Sequence, residues 1–349
     1  MKTLSKIKIE GFKSIESAEL TLGDLNVVIG ANGSGKSNLI GVFRLVERVL
    51  AHNLQLYVAS EPDRFLFHGR KKTPALSLDF DFEISAYYGF ELKAVRDSFV
   101  FSREFIFDNG SLAEEKSTGA KESLLVEDQQ FSSLFMALQN LEVFHIQDTA
   151  DSSPVRKTAD IDDNRFFCPN AANLPAYLYW LQEKHPVEFR HIEEHIRLVA
   201  PFFDCFVLAP SKLNEKKIKL EWRQKGSDAY FDAYSLSDGT LRFICLATLL
   251  LQPNPPALIL LDEPELGLHP FAIRILAEML EAASKRVQVL LATQSVTLLN
   301  NFALQDVIVA ENDGMKTTFS RLDEEKLKGW LEDFSLGELW EKNVLGGRP

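Results

Sequence analysis

Eight consecutive residues carry the clearest chemistry in this chain. Gly30-Ala31-Asn32-Gly33-Ser34-Gly35-Lys36-Ser37 fits the P-loop pattern G-x-x-x-x-G-K-[ST] at every fixed position. The glycines of such a loop let backbone N–H groups turn inward around phosphate oxygens, and a helix that starts there adds its positive N-terminal partial charge. Lys36 is expected to reach the β- and γ-phosphates of ATP and the Ser37 hydroxyl to ligate Mg²⁺. Gly30, Asn32, Gly33, Ser34, Gly35 and Asn38 complete the expected phosphate cradle. A Gly-rich strand-to-helix turn could match the pattern by chance, but the surroundings are those a P-loop needs. The apolar run from Leu25 to Ile29 stops at Gly30. From Ser37 the period becomes helical, with Leu39, Ile40, Phe43, Val46, Val49 and Leu50 on one face to about His52.

Three further blocks, far along the chain, fit the same chemistry. The apolar run Leu258 to Leu261 ends in Asp262-Glu263, as a Walker B strand does. Asp262 would hold Mg²⁺ through its water shell, and Glu263 would orient and polarise the water that attacks the γ-phosphate. Apolar runs that end in Asp are common, so it is the pairing with the P-loop that favours this reading. Leu236-Ser237-Asp238-Gly239-Thr240 precedes another apolar helix, where Ser237 and the Gly239 backbone could present donors to an anion. A plain N-cap would look the same. The strand Val289 to Ala292 leads to Thr293-Gln294-Ser295, where Gln294 could hydrogen-bond phosphate and water but never become cationic. A polar strand end is the alternative.

Together these blocks resemble the RecF/SMC-like ATPases of the ABC class, and among them the small bacterial predicted AAA ATPases. The residues that carry the resemblance are Gly30 to Ser37, Leu236 to Arg242, Asp262 to Pro270 (Asp-Glu-Pro-Glu-Leu-Gly-Leu-His-Pro) and Ala292 to Ser295. The tail Leu336-Gly337-Glu338-Leu339-Trp340 with Gly346-Gly347-Arg348-Pro349 joins them. Leu236 to Thr240 resembles the ABC signature, and the 25 residues from Ser237 to Asp262 match its spacing. The resemblance implies an α/β fold: an ABC-type P-loop NTPase head with a mixed α/β RecA-like lobe, an antiparallel β subdomain and a helical lobe that carries the signature. It implies Gln294 in the place where such enzymes usually hold a γ-phosphate-sensing His. Gln147, or its neighbour Asp148, stands where a Q-loop residue contacts Mg²⁺ and the lytic water, and either could equally be a solvated loop residue. His269 falls in the D-loop position, where a helix-start role is the simpler one. The resemblance also implies a homodimer closed by ATP, with Ser237 and Gly239 of one copy facing the nucleotide on Lys36 of the other. DNA, an effector or a repair protein come with it as partners, in DNA repair or anti-phage defence. Two other readings compete: a module that binds ATP to grip a partner without hydrolysing it, which Gln294 keeps open, and a P-loop kinase, which the signature block disfavours.

The rest of the chain must position these groups. Its 349 residues suggest about two domains, and three sequence segments divide the work. Residues 1–147 hold the P-loop and a β-meander, residues 148–250 a helical signature lobe with a hairpin, and residues 251–349 the Walker B and switch strands. Alternation predicts strands at 4–9 and 18–22 and a meander over 76–107, followed by an exposed, mobile loop at 108–123. Segment 148–165 reads as polar and irregular. Helices are expected at about 173–183, 186–199, 241–251 and 271–284, with one more after Asp323, and a hairpin around a Lys-rich turn between Leu208 and Ile218. The 201 residues from Lys36 to Ser237 show no sustained heptads, so a compact head fits better than an SMC arm. The 54 residues after Ser295 are too few for an appended nuclease.

A net charge of −12 argues against a broadly basic nucleic-acid face. Arg70-Lys71-Lys72 and Lys212/Lys216/Lys217/Lys219 are the basic clusters that remain. Three widely spaced cysteines suggest reduced, buried thiols in a cytoplasmic protein. Neither a signal-peptide core nor an apolar run near the roughly 20 residues of a membrane span is present.

Overall fold

The computed structural model describes residues 3–83, 86–108, 110–116, 119–126 and 129–348. A six-stranded sheet organises it, in the order Thr317–Arg321, Val307–Asn312, Leu25–Ile29, Gln288–Thr293, Leu258–Asp262, Leu141–Phe144. Every pair is parallel except the first. Parallel strands need covered faces, and the sequence supplies apolar side chains on both. Leu25–Ile29 is buried along its whole length. Val27 and Ile29 face one core with Leu261 and Leu291, whereas Val28 faces the other with Leu260 and Leu290.

The Lys36–Leu50 helix lies in the second core together with an antiparallel sheet, ordered Ile15–Thr21, Leu4–Phe12, Ala75–Phe82, Ala86–Val95, Ser98–Asp108, Ser111–Lys116. The first core joins the helices Leu174–Lys184, Pro186–Val199, Asp238–Leu251 and Pro270–Ser284. The chain is therefore a mixed α/β P-loop head with an antiparallel β part and a helical part, as its motifs imply.

Three local expectations need correction. The loop expected at 108–123 contains a strand, Ser111–Lys116, that extends the meander; residues 109, 117 and 118 of it lie outside the described residues. The strand is at the edge of its sheet, where one ladder faces water and a Ser/Glu/Lys-rich sequence is compatible with pairing. The single helix expected after Asp323 is two, Glu324–Leu331 and Leu336–Glu341. The second starts afresh on a capping box made by Ser335 and Glu338. Of the three thiols only Cys245 is buried; Cys168 and Cys205 are half-buried. Burial pushes the Cys245 thiol up to about 12 and that of Cys168 to about 11, so neither is a ready nucleophile. Among the described residues no helix is long and apolar enough to cross a membrane.

Candidate nucleotide site

Four of the five parallel strands deliver their following loops to the site at one edge of the sheet, the carboxyl ends where ligands bind in open α/β folds. Leu25–Ile29 runs into the P-loop, Leu258–Asp262 into Glu263, Gln288–Thr293 into Gln294, and Leu141–Phe144 towards Gln147. A cleft of about 190 Å³ opens between them, lined by Asn32–Asn38, Glu263 and Gln294.

Glycine is required at two P-loop positions. Gly35 has φ +104, and a Cβ there would lie 2.3 Å from Thr317 Oγ1. At Gly30 a Cβ would lie 2.4 Å from Ala310 O. The loop is thus wedged against the Val307–Arg321 hairpin, which fixes it further: Thr317 Oγ1 donates to Ser34 O (3.0 Å) and shares a hydrogen bond with Ser14 Oγ (2.7 Å). Asn38 donates to the same Ser14 oxygen (2.7 Å). Lys36 is 5 % exposed. Its Nζ donates to Gly30 O (2.6 Å) and Ala31 O (2.9 Å), so the ammonium is held inside the loop by carbonyls that phosphate oxygens can replace. Burial lowers its pKa, and Glu263, Asp262 and Glu265 pull it back up.

The acidic groups face this lysine. Burial raises the pKa of Asp262, and a hydrogen bond from Ser37 opposes the rise. Ser37 and Asp262 therefore meet as a hydroxyl and a carboxylate, the hard oxygen donors that Mg²⁺ takes from protein when phosphates and waters supply the rest. The donor set fits that ion. Gln147 is carried in beside them, its Nε2 donating to the backbone oxygen of Asp262 (2.6 Å). Asp148 instead turns away, its Oδ1 accepting from Ala150 N. Glu263 sits at φ +46, a left-handed conformation that costs a non-glycine residue about 1 kcal/mol. Its carboxylate accepts a hydrogen bond from Gln294 Nε2. His269 caps the Pro270–Ser284 helix, its Nδ1 accepting from Phe271 N (3.3 Å).

Ser237 and Gly239 are placed differently. Ser237 caps the Asp238–Leu251 helix, its Oγ accepting from Thr240 N (3.2 Å), yet it is exposed. Neither residue lines the P-loop cleft. A Cβ on Gly239 would stand 2.5 Å from Gly267 O, so the signature turn packs directly on the Glu265–Leu268 turn.

Three residues given no role in advance tie these loops together. Arg156, inside the segment read as irregular, is buried and donates to Thr149 O (2.7 Å), Ala233 O, Leu236 O (3.2 Å) and Asp238 Oδ1 (2.7 Å). Arg242 donates to Ile146 O (3.3 Å), Gln147 O and Leu266 O, joining the signature helix to the Gln147 loop and the Glu265–Leu268 turn. Glu265 is 8 % exposed and accepts from Thr293 Oγ1; burial raises its pKa. Arg242 and Glu265 lie within the recognisable motifs, which was a signal. Arg156 and Thr317 had none, because their partners are backbone groups far away in sequence.

A P-loop at the carboxyl edge of a parallel sheet, Walker B and switch strands beside it and a signature turn on a separate helix define an SMC-head-like P-loop ATPase fold. Residues 25–300 match the family described as "AAA domain, putative AbiEii toxin, Type IV TA system", and the chain belongs to that family. No curated protein sequence matches the chain significantly. Among solved structures it is similar to an Smc head bound to the C-winged helix domain of ScpA (TM-score 0.63, 16% identity, 94% of this chain and 99% of that one). It is also similar to a Pyrococcus furiosus Smc head with an extended coiled coil bound to the C-terminal domain of ScpA (0.61, 16%, 95% and 99%). A third similar structure is the Thermotoga maritima SMC head (0.51, 15%, 92% and 99%). At these identities the likeness is one of fold.

Proposed function

We propose that this protein is an ATP-hydrolysing switch whose two copies close on ATP. One observation carries the reading. Lys36, Ser37, Asp262, Glu263, Gln294 and Gln147 converge on one sheet edge, while the signature turn stands exposed on the same chain and away from that cleft. Half of the site is therefore gathered into one cleft and the other half is presented outward, as two copies in opposed orientation would use it. Bound ATP takes over the ammonium of Lys36 from Gly30 O and Ala31 O, and the loop's N–H groups face its phosphates. Ser37 and Asp262 would hold Mg²⁺, which supplies charge neutralisation at the phosphates. Glu263 accepts the proton of the attacking water, and Gln294 holds that carboxylate in place. Ser237 and the Gly239 backbone close the site from the partner copy.

Steady-state ATPase and size measurements with MgATP test this directly. The wild type should turn over, and Glu263→Gln should lose turnover by about a hundredfold or more while accumulating as an ATP-bound dimer. The second reading, an ATP-gripping module that does not hydrolyse, is favoured by the Gln294–Glu263 hydrogen bond, which occupies the carboxylate meant to activate water. Equal, near-zero turnover in both proteins would select it.

The biological role we propose is a cytoplasmic one in DNA repair or anti-phage defence, beside an effector or repair protein. The family's putative toxin of a Type IV toxin–antitoxin system and the ScpA-bound state of the similar Smc heads support a partnered protein. For DNA the support is thinner, because Arg70 is bridged to Asp63 and Lys217 to Asp160.

A further inference from the structure

The segment after the Glu324–Leu331 helix takes no part in the chemistry above, yet it touches both ends of the nucleotide site. At one end, the Leu336–Glu341 helix packs on the Val296–Leu299 helix, whose N-cap, Ser295, directly follows Gln294. Gly337 makes that contact. Its N–H donates to Asn300 Oδ1 (2.7 Å), and a Cβ there would lie 2.5 Å from Val296 Cγ1. At the other end, Gly347 reaches the start of the P-loop. It has φ +58, and a Cβ on it would stand 2.7 Å from Val309 Cγ1, 3.1 Å from Ala310 O and 3.4 Å from Gly30 Cα. Both sides of its peptide are pinned: Gly347 N–H donates to Glu311 Oε1 (2.7 Å), and Gly347 O accepts from Nε1 of the fully buried Trp340 (2.7 Å). A close backbone approach at each end, with a buried indole between, makes a stiff link rather than a loose covering.

We propose that Leu336–Arg348 is a brace that couples the switch segment around Gln294 to the P-loop, with Gly337 and Gly347 as positioning residues. This rests on the ATPase reading and deepens it. Because each end is anchored to a different working part, the two glycines should act on different kinetic constants. Gly347 sets where Gly30 and the phosphate cradle lie, which governs ATP binding. Gly337 sets where the switch helix, and with it Gln294, lies against Glu263, which governs turnover.

The test is a kinetic split. Gly347→Ala should raise KM and the Kd for a fluorescent ATP analogue about tenfold while kcat holds. Gly337→Ala should lower kcat about tenfold at unchanged Kd. Trp340→Phe keeps an aromatic six-membered ring in the buried position but removes the N–H donor together with the five-membered part of the indole, so it should raise Kd a few-fold, in the sense of Gly347→Ala, and Leu327→Ala separates this from the cavity it also leaves. Leu327→Ala, a core truncation on the neighbouring helix, controls for lost stability. If it reproduces the same changes at a matched Tm, or if both glycine variants move the same constant, the coupling is refuted. Hydrogen exchange gives a readout that does not need turnover: Gly347→Ala and Trp340→Phe should speed exchange of the Gly30–Ser37 amides. Unchanged exchange there would overturn the brace even in a chain that hydrolyses nothing, whereas faster exchange in a chain that neither binds nor hydrolyses ATP would leave the brace standing and overturn the ATPase reading alone.

Discussion

The P-loop and the signature turn are built from the same parts and finished in opposite ways. Each is a Gly-containing turn at the N-terminus of a helix, Lys36–Leu50 in one case and Asp238–Leu251 in the other. Each has a glycine pressed against another segment, Gly35 against Thr317 and Gly239 against Gly267. The P-loop, however, has a buried centre, with Lys36 5 % exposed and Ser34 4 %, although Asn32, Gly33 and Ser37 at its rim are exposed. The Ser237 turn faces solvent and is held only from behind, by Arg156 and Arg242. The P-loop lysine is satisfied within its own chain by Gly30 O and Ala31 O, while Ser34 Oγ is buried without a partner among the described residues. At the signature, the helix N-terminus remains available to an anion from outside. That difference, more than either motif taken alone, supports a site shared between two copies.

The comparison breaks first at Lys36. Lys36→Ala removes the one cation buried inside the loop, and ATP affinity should fall by about a thousandfold, measured by titration with a fluorescent analogue. If affinity survives, the P-loop half is not the nucleotide site. Ser237→Arg tests the exposed half. It should leave ATP binding by a single copy intact and reduce turnover by about a hundredfold, with the ATP-dependent dimer lost in sedimentation. Loss of binding by the isolated copy would mean that the turn serves its own chain.

What the sequence revealed of this arrangement follows its range of interaction. The Lys36 helix, the Asp262 strand end and the Ser237 cap are local: a period change, an apolar run ending in acid and a Ser-Asp-Gly turn each announce themselves within about ten residues. The parallel sheet that gathers them was legible through its apolar runs, Leu25 to Ile29 and Leu258 to Leu261. Arg156 was not, because nothing in Ser-Ser-Pro-Val-Arg-Lys tells that a guanidinium will be drawn under Ala233 and Leu236 to carbonyls 77 and 80 residues away. Ser111–Lys116 was missed for a related reason, since an edge strand is defined by its neighbour Ser98–Asp108 rather than by its own polarity. Gly346-Gly347-Arg348 could be recognised as part of a motif, but its contact with Gly30 belongs to the fold alone.

Support from behind is what distinguishes the signature turn, so Arg156 is the place to weaken it selectively. Arg156→Ala leaves the carbonyls of Thr149 and Leu236 without the guanidinium donor and Ala233 O with only the Leu236 N–H. It should cost about 2 kcal/mol in urea unfolding, and it should loosen the Ser237 turn in hydrogen exchange before the Gly30–Ser37 amides change. If both turns loosen together, the two halves are not independently supported.

The smallest effect separates the halves by pH. Glu142 lies on the Leu141–Phe144 strand at the edge of the parallel sheet, and burial, with help from Glu47 on the Lys36–Leu50 helix, raises its pKa to about 7. The raised value means that the folded chain holds this proton more tightly than the unfolded chain does. No penalty exists below the unfolded carboxylate range. It grows as pH rises through that range towards 7, and above it the folded state carries a half-buried charge beside another acid. Wild-type stability should therefore fall between about pH 5 and about pH 8, by about 1 kcal/mol from this group once its partial exposure is allowed for. Glu142→Gln should flatten that slope by the same amount, in urea titrations at the two pH values, and leave exchange at the Ser237 turn unchanged. A slope that persists in the variant would assign the pH sensitivity to other groups and would remove Glu142 from the contrast between the P-loop half and the exposed one.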